Sequence, residues 1–525
     1  MMVRIVLFAI GVLLSVGLNS QNRWIQTYLE GEDPFGESLV KHYDNGYLLA
    51  GRFGPNYPEY CWLIKTDING NELWKKVIGY DSKYIVASAD ISVNKEGDVF
   101  LVGSTNFYND NDYDPLIMKL NACGEKEWCK VFYEERNNFS NAVVATPDGG
   151  CVAVLRYMNV DPTKDRICLA KLDTYGNLQW KQCYNSSDTS LYYSDAKDLV
   201  SCPDGGFLIS GACDYVNPDP PQYLWPKPYY IKTDSMGNFV WETVVHSDVS
   251  DKGGYAWSAV INRDSNYYYS AISHYYFSSG NDAASLLKMD MQGNVVDIYD
   301  IALPNVYGKM VHAKFITDTT IAASAVYGST LPPRPVIVDT LGNIIYQNPV
   351  LDNEWMGHVE ITFDKKILYQ TNMNDGDVFD AYLFKLNQNL LSDSIYTQPF
   401  IYDSLCDGEI VSDTIVQDDC GLIVGMEEIY TPKSKTESKV LIYPNPANNQ
   451  FKVQSLPAGQ AGSMFEVGGC RIEVFDLFGR KVVEVPVSKE QTEIEVTTVG
   501  WVSGLYVVRV VSKNGVIGSG KVLIR

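Results

Sequence analysis

Apolar runs of four to eight residues recur along most of this chain, and each follows a turn signal. Tyr47-Leu-Leu-Ala-Gly-Arg-Phe53 follows Asn45-Gly46, Val99 to Gly103 follows Glu96-Gly97, Cys151 to Val154 follows Asp148-Gly-Gly150, and Phe207 to Gly211 follows Asp204-Gly-Gly206. Runs this short, rich in branched and aromatic residues, predict β-strands, and the Asp-Gly and Asn-Gly pairs supply the positive φ that tight hairpins need.

A second pattern sits downstream of the first. Lys65-Thr-Asp-Ile-Asn-Gly-Asn71 followed by Trp74 recurs as Lys119 to Glu125 with Trp128, as Lys171 to Asn177 with Trp180, and as Lys232 to Asn238 with Trp241. Weaker copies stand at Lys288 to Asn294, Val338 to Asn343 and Lys385 to Asn389. The glycines at 70, 124, 176, 237, 293 and 342 are spaced by 54, 52, 61, 56 and 49 residues. A period of about 50 residues is that of a propeller blade. Each unit has room for four strands, for example Ser38 to Tyr43, Tyr47 to Phe53, Cys61 to Thr66 and Glu72 to Ile78. Seven copies predict an all-β fold, a seven-bladed β-propeller over residues 22–400.

The repetition also assigns the repeated residues to structure. A Trp at a fixed offset in each unit is expected to pack between blades, contributing about 1.5–3 kcal/mol of apolar burial each. The Lys and Asp of each Lys-x-Asp are expected to serve as an ion pair or turn device, since an active site is needed only once. Trp24-Ile-Gln-Thr-Tyr28 lies 50 residues before Trp74 and reads as a fourth strand with no first three ahead of it. It is expected to close the ring by pairing beside Ala381 to Asn387.

The last stretch differs. Short alternating runs at Arg471 to Asp476, Lys481 to Val485, Thr492 to Val496, Gly504 to Val511 and Gly520 to Ile524 predict a small immunoglobulin-like antiparallel β-sandwich over 439–525. A joint and polar linker, 401–438, precede it. Of the chain's formal charge of −22, residues 439–525 carry +3, with ten Lys and Arg against seven Asp and Glu, so the first 438 carry −25. A body this acidic argues against nucleic acid as a partner. Residues 1–20 carry Arg4, an apolar run from Ile5 to Leu14, and polar Asn19-Ser20. This predicts a secretory signal peptide, with no membrane-spanning segment left after its cleavage.

Eleven cysteines include no CxxC pair. Cys123 and Cys129 flank a turn that could bring them together, and Cys406 and Cys420 bracket thirteen residues whose closure would stabilise by about 3 kcal/mol. Cys151 and others in strand-like runs are expected to be small buried apolar residues.

Tyr443-Pro-Asn-Pro-Ala-Asn-Asn, then Ile472 to Lys481, Gly504-Leu-Tyr-Val-Val-Arg-Val and the terminal Lys521-Val-Leu-Ile-Arg525 resemble the type A C-terminal sorting domain of type IX secretion cargo. The segment from Tyr402 to Val424 resembles the joint found before such domains. The resemblance implies a source in the Bacteroidetes and export through the periplasm to the outer surface or medium, with the translocon and sorting machinery as partners. Tyr443, Pro444, Asn445 and Pro446 match its opening motif; Gly479, Gly504 and Tyr506 fall at a turn and in a strand, and Lys521 and Arg525 at its basic closing positions.

Catalytic patterns are missing from the rest: there is no HExxH, GxSxG, Walker loop or GxGxxG after a strand, and neither cofactor nor metal is expected. The Pro-rich insertion Asn217 to Pro228 carries Tyr223 and Trp225, and the aromatic stretch Tyr267 to Phe277 carries Tyr275 and Tyr276. These four are the candidate contacts for a glycan, a polymer, or a host or environmental protein. The favoured reading is a non-enzymatic secreted or surface binding protein. The alternative is a secreted hydrolase or lyase with a carboxylate site in the propeller funnel.

Overall fold

The computed structural model describes residues 24–30, 32–53, 60–79, 86–106, 112–134, 137–161, 164–184, 186, 191–216, 224–246, 252–276, 281–301, 308–327, 331–347, 354–374, 379–416, 420–424, 429–430, 440–455, 471–475, 481–487, 493–512 and 515–524. The expected signal peptide, Tyr223, Gly479 and Arg525 lie outside them. The chain divides into two compact units, 1–431 and 432–525.

In the first unit, seven antiparallel four-stranded sheets succeed one another among the described residues, three of them with a fifth strand added at the rim. Each sheet is a blade. Blade 1 runs Pro34–Lys41, Tyr47–Phe53, Cys61–Thr66 and Glu72–Ile78 from the inside outward. The innermost strands of blades 2 to 7 are Val86–Val93, Asn138–Ala145, Leu191–Ser201, Lys252–Ile261, Gly308–Phe315 and Glu354–Ile361. Each packs on the next, and the seventh packs on the first, making a β-propeller. Blade 7 takes its outer strand from the start of the chain: Ile25–Tyr28 pairs antiparallel with Ala381 to Phe384, where the fourth-strand pattern placed it.

The repeated residues explain the blades. Asp67 Oδ1 accepts the backbone N–H groups of Asn69 and Asn71 at 2.7 and 2.8 Å, and its Oδ2 accepts the Asn71 side chain at 2.8 Å. Asp173, Asp234, Asp290 and Asp339 repeat this turn. The lysine two residues earlier crosses to the Asp of the other turn in its blade: Lys65 to Asp44 at 2.6 Å, Lys119 to Asp98 at 2.9 Å, Lys232 to Asp204 at 2.8 Å. Each Trp lies on the turn glycine of the following blade. A Cβ on Gly124 would stand 3.1 Å from Trp74, and one on Gly70 2.7 Å from Trp24, so both positions need glycine for space as well as for φ of +71° and +76°.

Residues 401–430 depart from the expected joint. They form three short strands added in parallel to the blade rims: Asp413–Ile415 on blade 1, Gly421–Val424 on blade 2 and Ile429–Tyr430 on blade 3. Blade rims present unpaired backbone groups, and this strap satisfies them. The strap also corrects the cysteine pairing. It runs past the blade 2 rim where Cys123 and Cys129 already sit, so the bonds are Cys123–Cys406 and Cys129–Cys420 rather than within each pair. A third bond, Cys168–Cys183, crosses two strands of blade 3. Cys61, Cys151, Cys202 and Cys213 are free and buried.

The second unit is a sandwich of a three-stranded sheet (Val440–Tyr443, Gln450–Ser455, Glu493–Thr497) and a four-stranded sheet (Lys481–Pro486, Arg471–Phe475, Gly504–Ser512, Gly515–Ile524). Phe451, Val453, Ile472, Val474, Val508 and Val522 share its core.

A non-reducing peptide map checks the strap. It is expected to join the peptide of Cys123 to that of Cys406, and Cys129 to Cys420; peptides closed 123–129 or 406–420 would contradict it.

Candidate functional site: the channel cavity

Each innermost strand carries a one-residue bulge near its start, between Gly36 and Ser38 in blade 1 and at the matching place in the other six, as between Ser88 and Asp90, Ala196 and Asp198, Ala256 and Ser258, or Met310 and His312. A bulge re-aims the extra residue. Glu37, Asn141, Lys197, Trp257 and Val311 occupy this position, and all five line a cavity of about 790 Å³ in the propeller channel. Arg52, at the end of a second strand, and Phe379, at the start of a third, complete its mouth. These strand ends face away from the tight Asp and Gly turns, so the cavity opens at the end of the ring where the longer connections emerge.

Below the bulges, polar residues tie blade to blade. Asp90 Oδ1 accepts the Ser38 hydroxyl at 2.8 Å and its neighbour's Ile91 N–H at 2.9 Å, while Oδ2 accepts the Val143 N–H of blade 3 at 3.0 Å. Asp198 Oδ2 accepts Ala259 N–H at 2.9 Å and Oδ1 accepts Leu199 N–H at 2.8 Å. Ser258 Oγ accepts Ala313 N–H at 3.1 Å, and His312 Nδ1 accepts Val359 N–H at 3.2 Å.

The surroundings set the protonation states. Desolvation by the enclosing protein pushes the Asp90 carboxyl up to about 7, reinforced by the charge of Asp198 and opposed by the bonds from Val143 and Ser38. Desolvation raises Asp198 as well. His358 is lowered to about 4 by desolvation and then by Lys314, and His312 falls well below the usual range for the same causes with His358 added. A neutral His312 is what the bond accepted at its Nδ1 requires. Lys314 is raised, first by Glu360 at 3.8 Å, then by Asp198 and Asp90.

Two sectors form the mouth. On one side Arg52 Nε donates to Glu37 at 2.9 Å and lies 5.4 Å over the Phe35 ring, which meets Phe379 edge-on at 5.6 Å. On the other, Asp195 accepts from Lys197 at 2.7 Å, Arg156 at 3.1 Å and Asn141 at 3.3 Å, and Lys197 lies 5.4 Å over the Trp257 ring.

The aromatic residues singled out from sequence stand at the same end of the ring but outside the cavity. Trp225 is the second residue of the strand Leu224–Thr233, opposite Tyr215, and Tyr275 and Tyr276 end the strand Tyr267–Tyr276. All three are half-buried. The Tyr276 hydroxyl reaches Asp300 at 3.5 Å, and Lys252 lies 5.3 Å over its ring. Beside them His274 meets His246 at 3.0 Å, with Ser285 and Asp300 about its other nitrogen at 3.2 and 3.4 Å. Among the described residues no three His, Cys, Asp or Glu are placed to hold a metal, and no helix is long and apolar enough to cross a membrane.

In the second unit Tyr443 donates to Glu493, and Asn445 Oδ1 accepts the Leu523 N–H at 3.0 Å. The opening motif thus holds the closing strand. Pro444 and Pro446 follow cis peptides and are exposed. Gly504 starts the strand that pairs with Ile524, and the Tyr506 hydroxyl donates to Val502 O at 2.7 Å. Lys521 lies in the closing strand.

Residues 441–525 match the family described as the secretion system C-terminal sorting domain. The chain therefore carries a type IX sorting domain behind a β-propeller, and is exported by way of the periplasm to the cell surface or beyond. No curated protein matches it. Among solved structures it is similar to the β-propeller domain of the trilobed protease of Pyrococcus furiosus (9% identity, 70% of this chain and 99% of that one, TM-score 0.40). It is also similar to the periplasmic gluconolactonase of Pseudomonas aeruginosa (12%, 70% and 97%, 0.41) and to the polysaccharide lyase Uly1 (11%, 69% and 94%, 0.44).

Asp90 supplies a test of the channel chemistry. A carboxyl raised on folding binds more protons in the folded state between the two pKa values, so its contribution to stability declines as pH rises from about 4 to about 7 and is level above. Asp90→Asn cannot ionise. The unfolding free energy of the native chain relative to the variant, from urea titrations at pH 4.5 and 8, is expected to be lower at pH 8; an unchanged difference would place Asp90 in ordinary solvent.

Proposed function

We propose that the propeller is the working body of an exported cargo protein and that it binds an extracellular glycan, without cleaving it, in the channel cavity. The observation that carries this reading is the cavity itself. Its volume is in the range of ligand pockets, and its wall sets the aromatic faces of Phe35, Trp257 and Phe379 among hydrogen-bonding side chains. Flat apolar faces beside directed donors and acceptors suit a sugar, which has both. Trp225, Tyr275 and Tyr276, at the same end of the ring, extend the contact surface for a longer polymer or a protein that bears the glycan.

The hydrolase or lyase reading draws on one observation, the raised Asp90 beside Asp198 in the channel, since perturbed acids concentrate at active sites. Against it, both oxygens of each carboxylate already accept backbone N–H groups or a hydroxyl. A general acid or base needs an oxygen directed at substrate.

A glycan array probed with the full chain, followed by titration of the best ligand, tests the proposal. Trp257→Ala is expected to weaken binding at least tenfold, about 1.4 kcal/mol, with no new reducing ends from wild type over a day. Unaltered affinity in the variant would remove the cavity from the binding site, and released ends would restore the enzymatic reading.

A further inference from the structure

The cavity wall is not uniform. The chain carries 22 more acids than bases, yet Glu37, Asp90 and Asp198 in the lining are matched by Arg52, Lys197 and Lys314. The three acids are also spoken for: Glu37 holds Arg52, and Asp90 and Asp198 bind backbone and hydroxyl groups of adjoining strands. Lys314 has Glu360, with Asp198 and Asp90 adding to the field that raises it.

Lys197 differs from these. Its ammonium has Asp195 as carboxylate partner at 2.7 Å, and that carboxylate also accepts from Arg156 and Asn141. One negative charge divided among three donors leaves the Lys197 charge incompletely balanced, at the bulge position that lines the cavity, beside the Trp257 face.

We propose, resting on the glycan-binding reading above, that the cavity selects carboxylated sugars: Lys197 takes the uronate carboxylate and Trp257 carries the sugar face. A charge-assisted bond in a site shielded from bulk water is about twice as strong as a neutral one, so the carboxylate is the feature that distinguishes ligand from competitor. The acidic exterior of the chain would repel polyanions. Selectivity therefore depends on the funnel and should be short-ranged.

Calorimetry of the full chain with oligomers of galacturonate, mannuronate and hyaluronan, each beside its carboxyl-reduced counterpart, tests this. At least one carboxylated oligomer is expected to bind tenfold or more tightly than its reduced form, and to weaken between 50 and 500 mM salt, conditions set at about these values to span the screening range. Lys197→Met removes the charge; it should abolish the preference, bringing the affinities for the carboxylated and reduced oligomers to within twofold of each other. The salt dependence of the wild type stands independently of whether the variant folds. Equal binding of both forms would overturn the uronate inference and leave the glycan reading intact. Binding of neither would overturn both, and a preference that survives Lys197→Met would overturn the role of Lys197.

Discussion

The propeller rests on one repeated contact, an aromatic ring laid over the turn glycine of the next blade. Trp24 covers Gly70, Trp74 Gly124, Trp128 Gly176, Trp180 Gly237, Trp241 Gly293, and Tyr299 takes the same place over Gly342. Two demands meet at each glycine. The turn needs positive φ, and the indole needs the volume a side chain would fill. Trp128 adds a bond from its Nε1 to Thr174 O at 3.0 Å, so the ring is oriented as well as packed. Six blades offer the glycine, and blade 7 has Leu390 at φ +58° in the matching turn, so the contact runs from blade 7 through blade 1 to blade 6. The circle closes through Trp24, a residue that precedes every blade in the chain.

Closure is reinforced from the other terminus of the propeller unit. After blade 7 the chain passes Tyr396 and Tyr402 over the blade 1 turn, where Asn69 bonds the Tyr396 backbone in both directions and the Tyr402 hydroxyl accepts Ile68 N–H at 2.9 Å. It then runs along the rims of blades 1 to 3 under two disulfides. The seam between blades 7 and 1 is also where Asn372 brackets Gly36 at 2.7 and 3.0 Å, in the wall of the cavity. The geometry of the cavity thus depends on contacts made at both ends of the unit.

Much of this could be read from the sequence, and the reasons are local. The Lys-x-Asp-x-x-Gly-Asn turn and its Trp work the same way in each blade, so repetition exposed the turns, the interblade packing and the stray first strand. The cavity was hidden by the same logic. Its residues come from seven strands some fifty residues apart, and the bulge position holds Glu37, Asn141, Lys197, Trp257 or Val311 with no shared chemistry. Aligning the innermost strands on the turn that follows them would have put these residues in one column. Trp225, Tyr275 and Tyr276 are conspicuous because they cluster in sequence; they stand at the same end of the ring as the cavity mouth but outside the channel. The strap is hard to read from sequence because its strands are only three, four and two residues long. The cysteine pairing followed it, since only the path of the strap decides which sulfur meets which.

The account depends most on the claim that Trp24 belongs to the ring as fully as the tryptophans inside the repeats. Urea unfolding of Trp24→Ala beside Trp74→Ala, both buried, measures it directly. Both are expected to lose about 3–5 kcal/mol in a single transition, as a buried indole removed from a core does. A Trp24→Ala variant within about 0.5 kcal/mol of the native chain, as for a surface change, would contradict closure by the first strand.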